Sequence, residues 1–339
     1  MAFRLPAALT PQWPFMERFT RLPLRGQQRL GPGRSSLFPV HLVAAAMIIR
    51  MPRLTPALLL LWCSLAASQV VDDYGQRIQL ASPARRIVSL APHLTETLYA
   101  AHAGPRVVGA AQFSDFPPEA RAVPRVGNDA AIDLEAVLAL RPDLVVAWPN
   151  AGTKRPIDRI EGLGIAVYRS EPRTLEDIAR TLERLGALAG TQAGAREAAR
   201  SFRERAAALA ARHAGVPKVR AFYQVWDRPL LTVNGEHLIS RVMSLCGGDN
   251  VFASMPRFVP EVDREAVLRA NPEVILGSAP DGAGAAWLDP WRAYPGIAAV
   301  ARGQLVAVPA ELIQRHTPRV LDGAERICRA FDTARRARS

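Results

Sequence analysis

Short catalytic signatures are missing from this chain. It holds no G-x-S-x-G elbow, no phosphate-cradling glycine loop and no H-E-x-x-H pair, so an α/β enzyme has no coupled nucleophile or acid–base pair to work with. Asp115, Asp129 and Asp133 lie near one another, but their spacing matches no calcium-coordinating loop. Basic runs interleaved with aromatics are absent, which removes nucleic acid as a partner. Beyond residue 68 no apolar run is long enough to cross a membrane. Cysteine is scarce, with three in 339 residues.

The N-terminal part accounts for much of the charge. The whole chain carries 43 Lys+Arg against 31 Asp+Glu, net +12. Residues 1–68 hold eight Arg against one Glu, leaving 35 against 30 in the rest, a mild +5. Residues 1–46 are rich in Arg, Pro and Leu and lack periodicity. From Met47 or Met51 the pattern changes. Arg50 and Arg53 precede the apolar Ala57-Leu-Leu-Leu-Leu-Trp62-Cys-Ser-Leu-Ala66, and Ala66-Ala67-Ser68 offers small residues for cleavage. That is the layout of a secretory signal peptide, so residues 1–68 are read as an upstream extension plus a cleaved signal. Trp62 stands before Cys63 where a lipoprotein signal needs a small residue, so lipidation is not expected. Cys246 and Cys328 then remain. They are either two buried thiols or, as an oxidising compartment favours, a disulfide. Closing so long a loop is worth roughly 4 kcal/mol of chain entropy.

What the exported part contains is a repeated phrase. Asp133-Leu-Glu135-Ala-Val-Leu138-Ala-Leu-Arg-Pro142-Asp-Leu-Val-Val146 returns as Asp263-Arg-Glu265-Ala-Val-Leu268-Arg-Ala-Asn-Pro272-Glu-Val-Ile-Leu276. Each copy reads as a helix, a proline-marked turn and a buried strand. A weaker repeat lays 93–107 on 237–251. Strands are expected at 86–90, 107–109, 144–148 and 165–168, then at 219–225, 231–233, 274–276 and 305–308. Helices alternate with them, which predicts two α/β lobes with largely parallel sheets and a cleft between them. Thr174-Leu-Glu-Asp177 resembles a capping box that starts a helix to 189. After Gly190-Thr191 a helix over 192–213 would span roughly 33 Å, either as a strut between lobes or as a covering helix. The expected boundaries are 69–171 for the first lobe, 172–216 for the helical linker and 217–339 for the second lobe. Residues 281–286 read as a flexible Gly/Ala loop.

Ligands of open α/β sheets bind beyond the carboxyl ends of the strands. That rule selects Pro92, His93 and Thr95, then Phe113 and Phe116, then Trp148, Trp226, Arg315 and His316. Broad aromatic faces with a few polar groups suit a large, flat, partly apolar ligand. The alternative is that the aromatics cap sheet edges. His93 and His316 either line loops or face each other across the cleft to hold a metal centre.

Further segments complete a family pattern between about residues 86 and 331. They are Arg86-Ile-Val-Ser-Leu-Ala-Pro92 with Thr95-Glu96, Phe113-Ser-Asp-Phe-Pro-Pro118, Leu140-Arg-Pro-Asp-Leu-Val-Val-Ala-Trp148, Leu163-Gly-Ile165, Leu245-Cys-Gly-Gly-Asp-Asn-Val-Phe252, Val262-Asp-Arg-Glu265 and Thr317-Pro-Arg319. In number, order and spacing they resemble the periplasmic binding proteins of the vitamin B12 and iron-complex type, the substrate-binding subunits of ABC importers. The resemblance implies two Rossmann-like lobes joined by a single long α-helix, the class III architecture, with the ligand captured between the lobes. It also implies a monomer in the periplasm, without catalysis or a cofactor of its own, that docks on permease subunits in the inner membrane.

Within that family the chain is most similar to the cobalamin-binding members. Their ligand-contacting tryptophan falls on Trp148 and their helix-joining disulfide on Cys246 and Cys328. Their second-lobe docking acid falls on Glu265, and the Pro and Thr of their first loop on Pro92 and Thr95. The first-lobe docking position holds Lys154, so either Glu161 substitutes or docking is asymmetric. The aromatic positions of the second-lobe pocket fall on Val225, Val259, Leu312 and Ile313, where Trp226 and Phe258 stand as neighbours that can compensate. His93 and His316 are departures as well. The expected cargo is a corrinoid, cobalamin first. A haem or ferric-siderophore carrier and a ligand-binding sensor are the alternatives.

Overall fold

Asp133 and Asp263 open the two copies of the repeat in the same way. Each accepts a hydrogen bond from the backbone N–H three residues on, at Ala136 (2.9 Å) and Ala266 (2.6 Å), the N-cap that a short acidic side chain provides. Asp143 and Glu273, the residues after the turn prolines, also match. Asp143 accepts from the Arg85 and Arg86 N–H groups and Glu273 from that of Arg220. Each copy is thereby tied to the strand it pairs with.

The computed structural model describes residues 68–128, 130–150, 152–279 and 284–338. The signal segment and residues 281–283 of the expected Gly/Ala loop lie outside them. Two parallel four-stranded sheets dominate. The first comprises β3 (Ile87–Ser89), β4 (Val107–Ala110), β5 (Leu144–Ala147) and β6 (Ala166–Arg169), in the order β4-β3-β5-β6. The second comprises β7 (Val219–Gln224), β8 (Gly248–Asn250), β9 (Val274–Ala279) and β10 (Leu305–Pro309), in the order β10-β9-β7-β8. Numbered from its own first strand, each sheet reads 2-1-3-4, so the duplication is one of topology as well as of sequence. The connections in the first sheet are α1 (Pro92–Ala100), α2 (Leu134–Ala139) and α3 (Lys154–Gly162). In the second they include α6 (Leu238–Leu245) and α7 (Arg264–Ala270). The weaker repeat thus superposes α1 on α6, the first crossover of each lobe.

Between the sheets stand α4 (Leu175–Ala189) and α5 (Gln192–Arg212). Thr174 and Asp177 form the expected capping box, and Gly190 ends α4 in the left-handed conformation at φ 67°. α5 folds back along α4, held by Arg203 to Glu176 and Glu183. Its start lies against His102 of the first lobe, where Gly194 leaves room for the ring. Farther along, Arg205 pairs with Asp322 and Glu325 on α10 (Val320–Arg336). One apolar core runs through this connection, from Ile87 and Leu144 by way of Leu185, Phe202 and Leu209 to Val219 and Phe331. Smaller clusters cover the other faces of the two sheets.

Some local expectations need correction. Residues 231–233 form no strand. Leu231 makes only isolated bridges to Trp226 and Glu261. The strand beside β7 is instead β8, made by Gly-Asp-Asn, residues that strand propensity disfavours and pairing with β7 imposes. An antiparallel hairpin of β1 (Ser68–Val71) and β2 (Arg77–Leu80) precedes the first lobe and had no sequence counterpart. Residues 284–286 start a 3-10 segment, Gly284–Ala293, rather than continuing a loop. Cys246, the C-cap of α6, is bonded to Cys328 of α10, with Cα atoms 4.7 Å apart. The bridge staples two helices of one lobe and does not cross the cleft.

Candidate ligand cleft

In each sheet the first strand is flanked by the second and the third, so the chain leaves it in opposite directions. The crevice beyond its carboxyl end is the ligand position of such sheets. In the first lobe this crevice lies between β3 and β5. Pro92 opens α1 there, where its missing N–H costs nothing. His93 follows, half-buried, with its ring edge-on to Trp148 (centroids 5.8 Å apart, planes at 78°). Trp148 follows β5 directly, and its carbonyl accepts from Thr153 Oγ1 at 3.1 Å, which fixes the loop behind it.

The second lobe presents its own aromatics. Trp226, two residues beyond β7, donates from Nε1 to the Arg228 carbonyl (3.0 Å) and packs on Trp287 (5.6 Å). Phe258 lies 4.6 Å from His237, and His237 stands edge-on to His316 at 6.1 Å. Sequence reasoning missed His237. The signal was present: the weaker repeat aligns it with His93, and both stand at the start of the first crossover helix.

One segment draws the lobes together. It joins α9 (Ala310–Ile313) to α10 and carries Arg315, His316, Thr317 and Arg319. Arg315 pairs with Asp115 (2.7 Å) and donates to the Phe113 carbonyl (3.1 Å). His316 Nδ1 lies 2.8 Å from the Pro172 carbonyl. Arg319 grips Glu96 with Nε at 2.7 Å and Nη2 at 2.8 Å, and Thr317 Oγ1 donates to the same carboxylate at 2.6 Å. The Arg319 guanidinium also lies 3.7 Å over the Phe116 ring, within cation–π range. Glu96 is 2% exposed. Burial works against the Arg319 charge, and the Glu96 hydrogen bonds outweigh it, so its pKa rises.

Phe113 stands out on this rim. It is 69% exposed, and its φ is +63°, a left-handed backbone that bulky side chains rarely adopt. Such residues persist where the surroundings hold them and cluster at ligand clamps. Here the hold on the Phe113 carbonyl comes from Arg315 of the other lobe.

Two expected contacts are not arranged as anticipated. Thr95 is fully buried, and its hydroxyl donates to Ser89 Oγ (2.8 Å) while lying 3.0 Å from Ser114 Oγ. It faces the core of the first lobe because α1 turns Leu94, Thr95 and Leu98 inward, and it ties the start of α1 to the end of β3. Glu161 is exposed, but the Arg169 fork occupies its carboxylate at 3.0 and 2.8 Å and lowers its pKa. Lys154 pairs with Asp158. Glu265, in the first turn of α7, is exposed and has no ion-pair partner among the described residues.

The electrostatics of the cleft are those of neutral rings. Burial, then the neighbouring His316 and Arg315, pushes His93 down to about 3. Burial, then His316, does the same to His237. Burial lowers His316 as well. Burial raises Asp115, but the Arg315 hydrogen bond and charge outweigh it and hold its carboxyl below the usual range. Among the described residues no group of three His, Cys, Asp or Glu side chains is arranged to hold a bare metal ion. The cleft therefore offers aromatic faces and uncharged ring nitrogens, with charge confined to paired groups. That suits a large conjugated ligand with a polar rim.

Residues 87–312 match the family model described as periplasmic binding protein. A vitamin B12-binding protein of Vibrio parahaemolyticus is 36% identical over 260 residues, covering 76% of this chain and 92% of its own. A vitamin B12-binding protein of Vibrio cholerae is 38% identical over 73% of this chain and 88% of its own. The crystal structure of the periplasmic vitamin B12 binding protein BtuF of Vibrio cholerae aligns at a TM-score of 0.68 with 37% identity, covering 75% of this chain and 98% of that one. A periplasmic haem-binding protein from Roseiflexus aligns at 0.64 with 22% identity, a likeness of fold alone.

Proposed function

We propose that this chain, which belongs to the periplasmic binding protein family, captures a corrinoid, cobalamin first, and delivers it to an ABC importer of the inner membrane. The observation that carries the reading is the His93–Trp148 pair at the first-lobe switch point. It sits in a chain that covers nearly the full length of a solved vitamin B12 binding protein. Trp148 and Trp226 would lie along faces or edges of the macrocycle, with Phe113, Phe116 and Phe258 at its rim. Pro92, His93 and Arg315 would meet its amide periphery. No bond of the cargo need change, and the chain needs no cofactor of its own. Export through the N-terminal signal puts it in the periplasm as a monomer, with 69–171 and 217–339 as the lobes and 172–216 as the linker. Glu265 would pair with a permease cation. Glu161 is the weaker candidate, since Arg169 already holds it.

The second reading is a haem carrier, favoured by the three histidines near the cleft. Competition separates the two. Equilibrium dialysis against labelled cyanocobalamin should show retention that excess haemin does not displace. Retention of haemin alone would reverse the assignment.

A further inference from the structure

The tautomers of the cleft histidines follow from their partners, because each partner has a single hydrogen-bonding role. The Pro172 carbonyl only accepts, so His316 Nδ1, 2.8 Å away, carries the proton. The neutral ring then has its lone pair on Nε2. His237 is the opposite case. Its Nδ1 accepts from the Ile239 N–H at 3.1 Å, so its proton is on Nε2. Nε2 of His316 has no hydrogen-bond partner among the described residues, nor is it one of the buried side-chain atoms sealed off without one. A ring whose one N–H is fixed by a backbone carbonyl while the other nitrogen stays bare is the arrangement that prepares a histidine to ligate a metal. Burial lowers the pKa of this ring, against the raising effect of the Pro172 hydrogen bond. The His237 ring stands edge-on at 6.1 Å and carries Phe258 on its other side, so the imidazole is braced as well as hydrogen-bonded.

Resting on the corrinoid reading above, we propose that His316 Nε2 is an axial ligand for the cobalt of a bound corrinoid whose axial position is exchangeable. The step is a substitution. The cobalt–water bond breaks, water leaves, and the Nε2 lone pair forms a cobalt–nitrogen bond. The oxidation state is unchanged and no proton moves. Specificity follows: corrinoids with a labile axial water gain a bond that cyanide-capped ones do not.

The probe is aquocobinamide, which has no nucleotide base of its own to supply an axial nitrogen. Its visible bands should shift on binding to the wild type as imidazole replaces water. The shift should vanish in His316→Ala, with affinity for aquocobinamide falling at least about tenfold. A wild-type measurement guards against misfolding of the variant. Cob(II)inamide bound to the wild type should show a nitrogen splitting in its electron paramagnetic resonance, and that splitting should change when the protein's histidines carry nitrogen-15. Binding without a band shift and without nitrogen splitting overturns the ligation and leaves the corrinoid reading standing. Absence of any corrinoid binding overturns both. A Soret shift of haemin lost in His316→Ala, with no splitting from cobinamide, assigns the nitrogen to iron and overturns the cobalt assignment.

Discussion

Removing Arg319 should destabilise the protein far more than removing the carboxylate it grips. Glu96 is 2% exposed and takes three donors, two from Arg319 and one from Thr317. In Arg319→Ala that carboxylate keeps a single neutral donor in a place water hardly reaches. An uncompensated buried charge costs about 3–5 kcal/mol, and the lost stacking on Phe116 adds up to about 1 kcal/mol. Glu96→Gln leaves the arginine instead. Its side chain is 19% exposed and can turn its charge toward solvent, so the loss is about 1–2 kcal/mol. Replacing both at once, as Glu96→Leu with Arg319→Met, removes the charges together and should fall within about 2 kcal/mol of the wild type. The double-mutant cycle should therefore be strongly non-additive. Urea denaturation of the oxidised protein, followed by circular dichroism, reads these differences. If Arg319→Ala costs less than about 1 kcal/mol, or the two single losses simply add, the interlobe clasp is not the buried, coupled pair described.

Further consequences can be checked in the same preparations. Cys246→Ser with Cys328→Ser should lower unfolding free energy by roughly 4 kcal/mol yet leave ligand affinity of the folded protein unchanged, since both residues belong to one lobe. A loss of affinity in calorimetry at a temperature where the variant is folded would contradict this. His237 is held neutral with its pKa pushed down to about 3, against about 6.5 in the unfolded chain. Below pH 6.5 only the unfolded state takes the proton, so stability falls from there toward pH 3 by up to about 1.4 kcal/mol per pH unit for this ring. His237→Asn keeps a capping side chain and should flatten the drop between pH 6.5 and 5. Equal slopes in urea melts would refute the assignment. Glu265→Ala should leave cargo binding intact and reduce delivery in a reconstituted importer, and unchanged uptake would remove it from the docking surface.

The architecture was legible because the repeat is a packing unit. Asp133 and Asp263 cap, Pro142 and Pro272 turn, and the Val- and Leu-rich ends must be buried on both faces, so parallel strands follow. The strand-end rule led to Trp148 and His93, which the fold brings into contact. At Thr95 helix phase, which the rule does not carry, turns the side chain toward the core. Glu96 and Arg319 both lay within recognised segments, but a partnership across 223 positions leaves no local trace. β8 was hidden for another reason. Gly248, Asp249 and Asn250 extend only because β7 offers them an edge.

The most direct test of the central claim is calorimetric titration of cyanocobalamin into the purified protein and into Trp148→Ala. The wild type should bind one equivalent saturably at micromolar concentrations. The variant should bind at least about tenfold more weakly, as expected for loss of a buried aromatic anchor, with its urea midpoint little changed. No heat and no saturation with the wild type at micromolar protein and ligand would contradict the corrinoid assignment, while the family and the fold would stand.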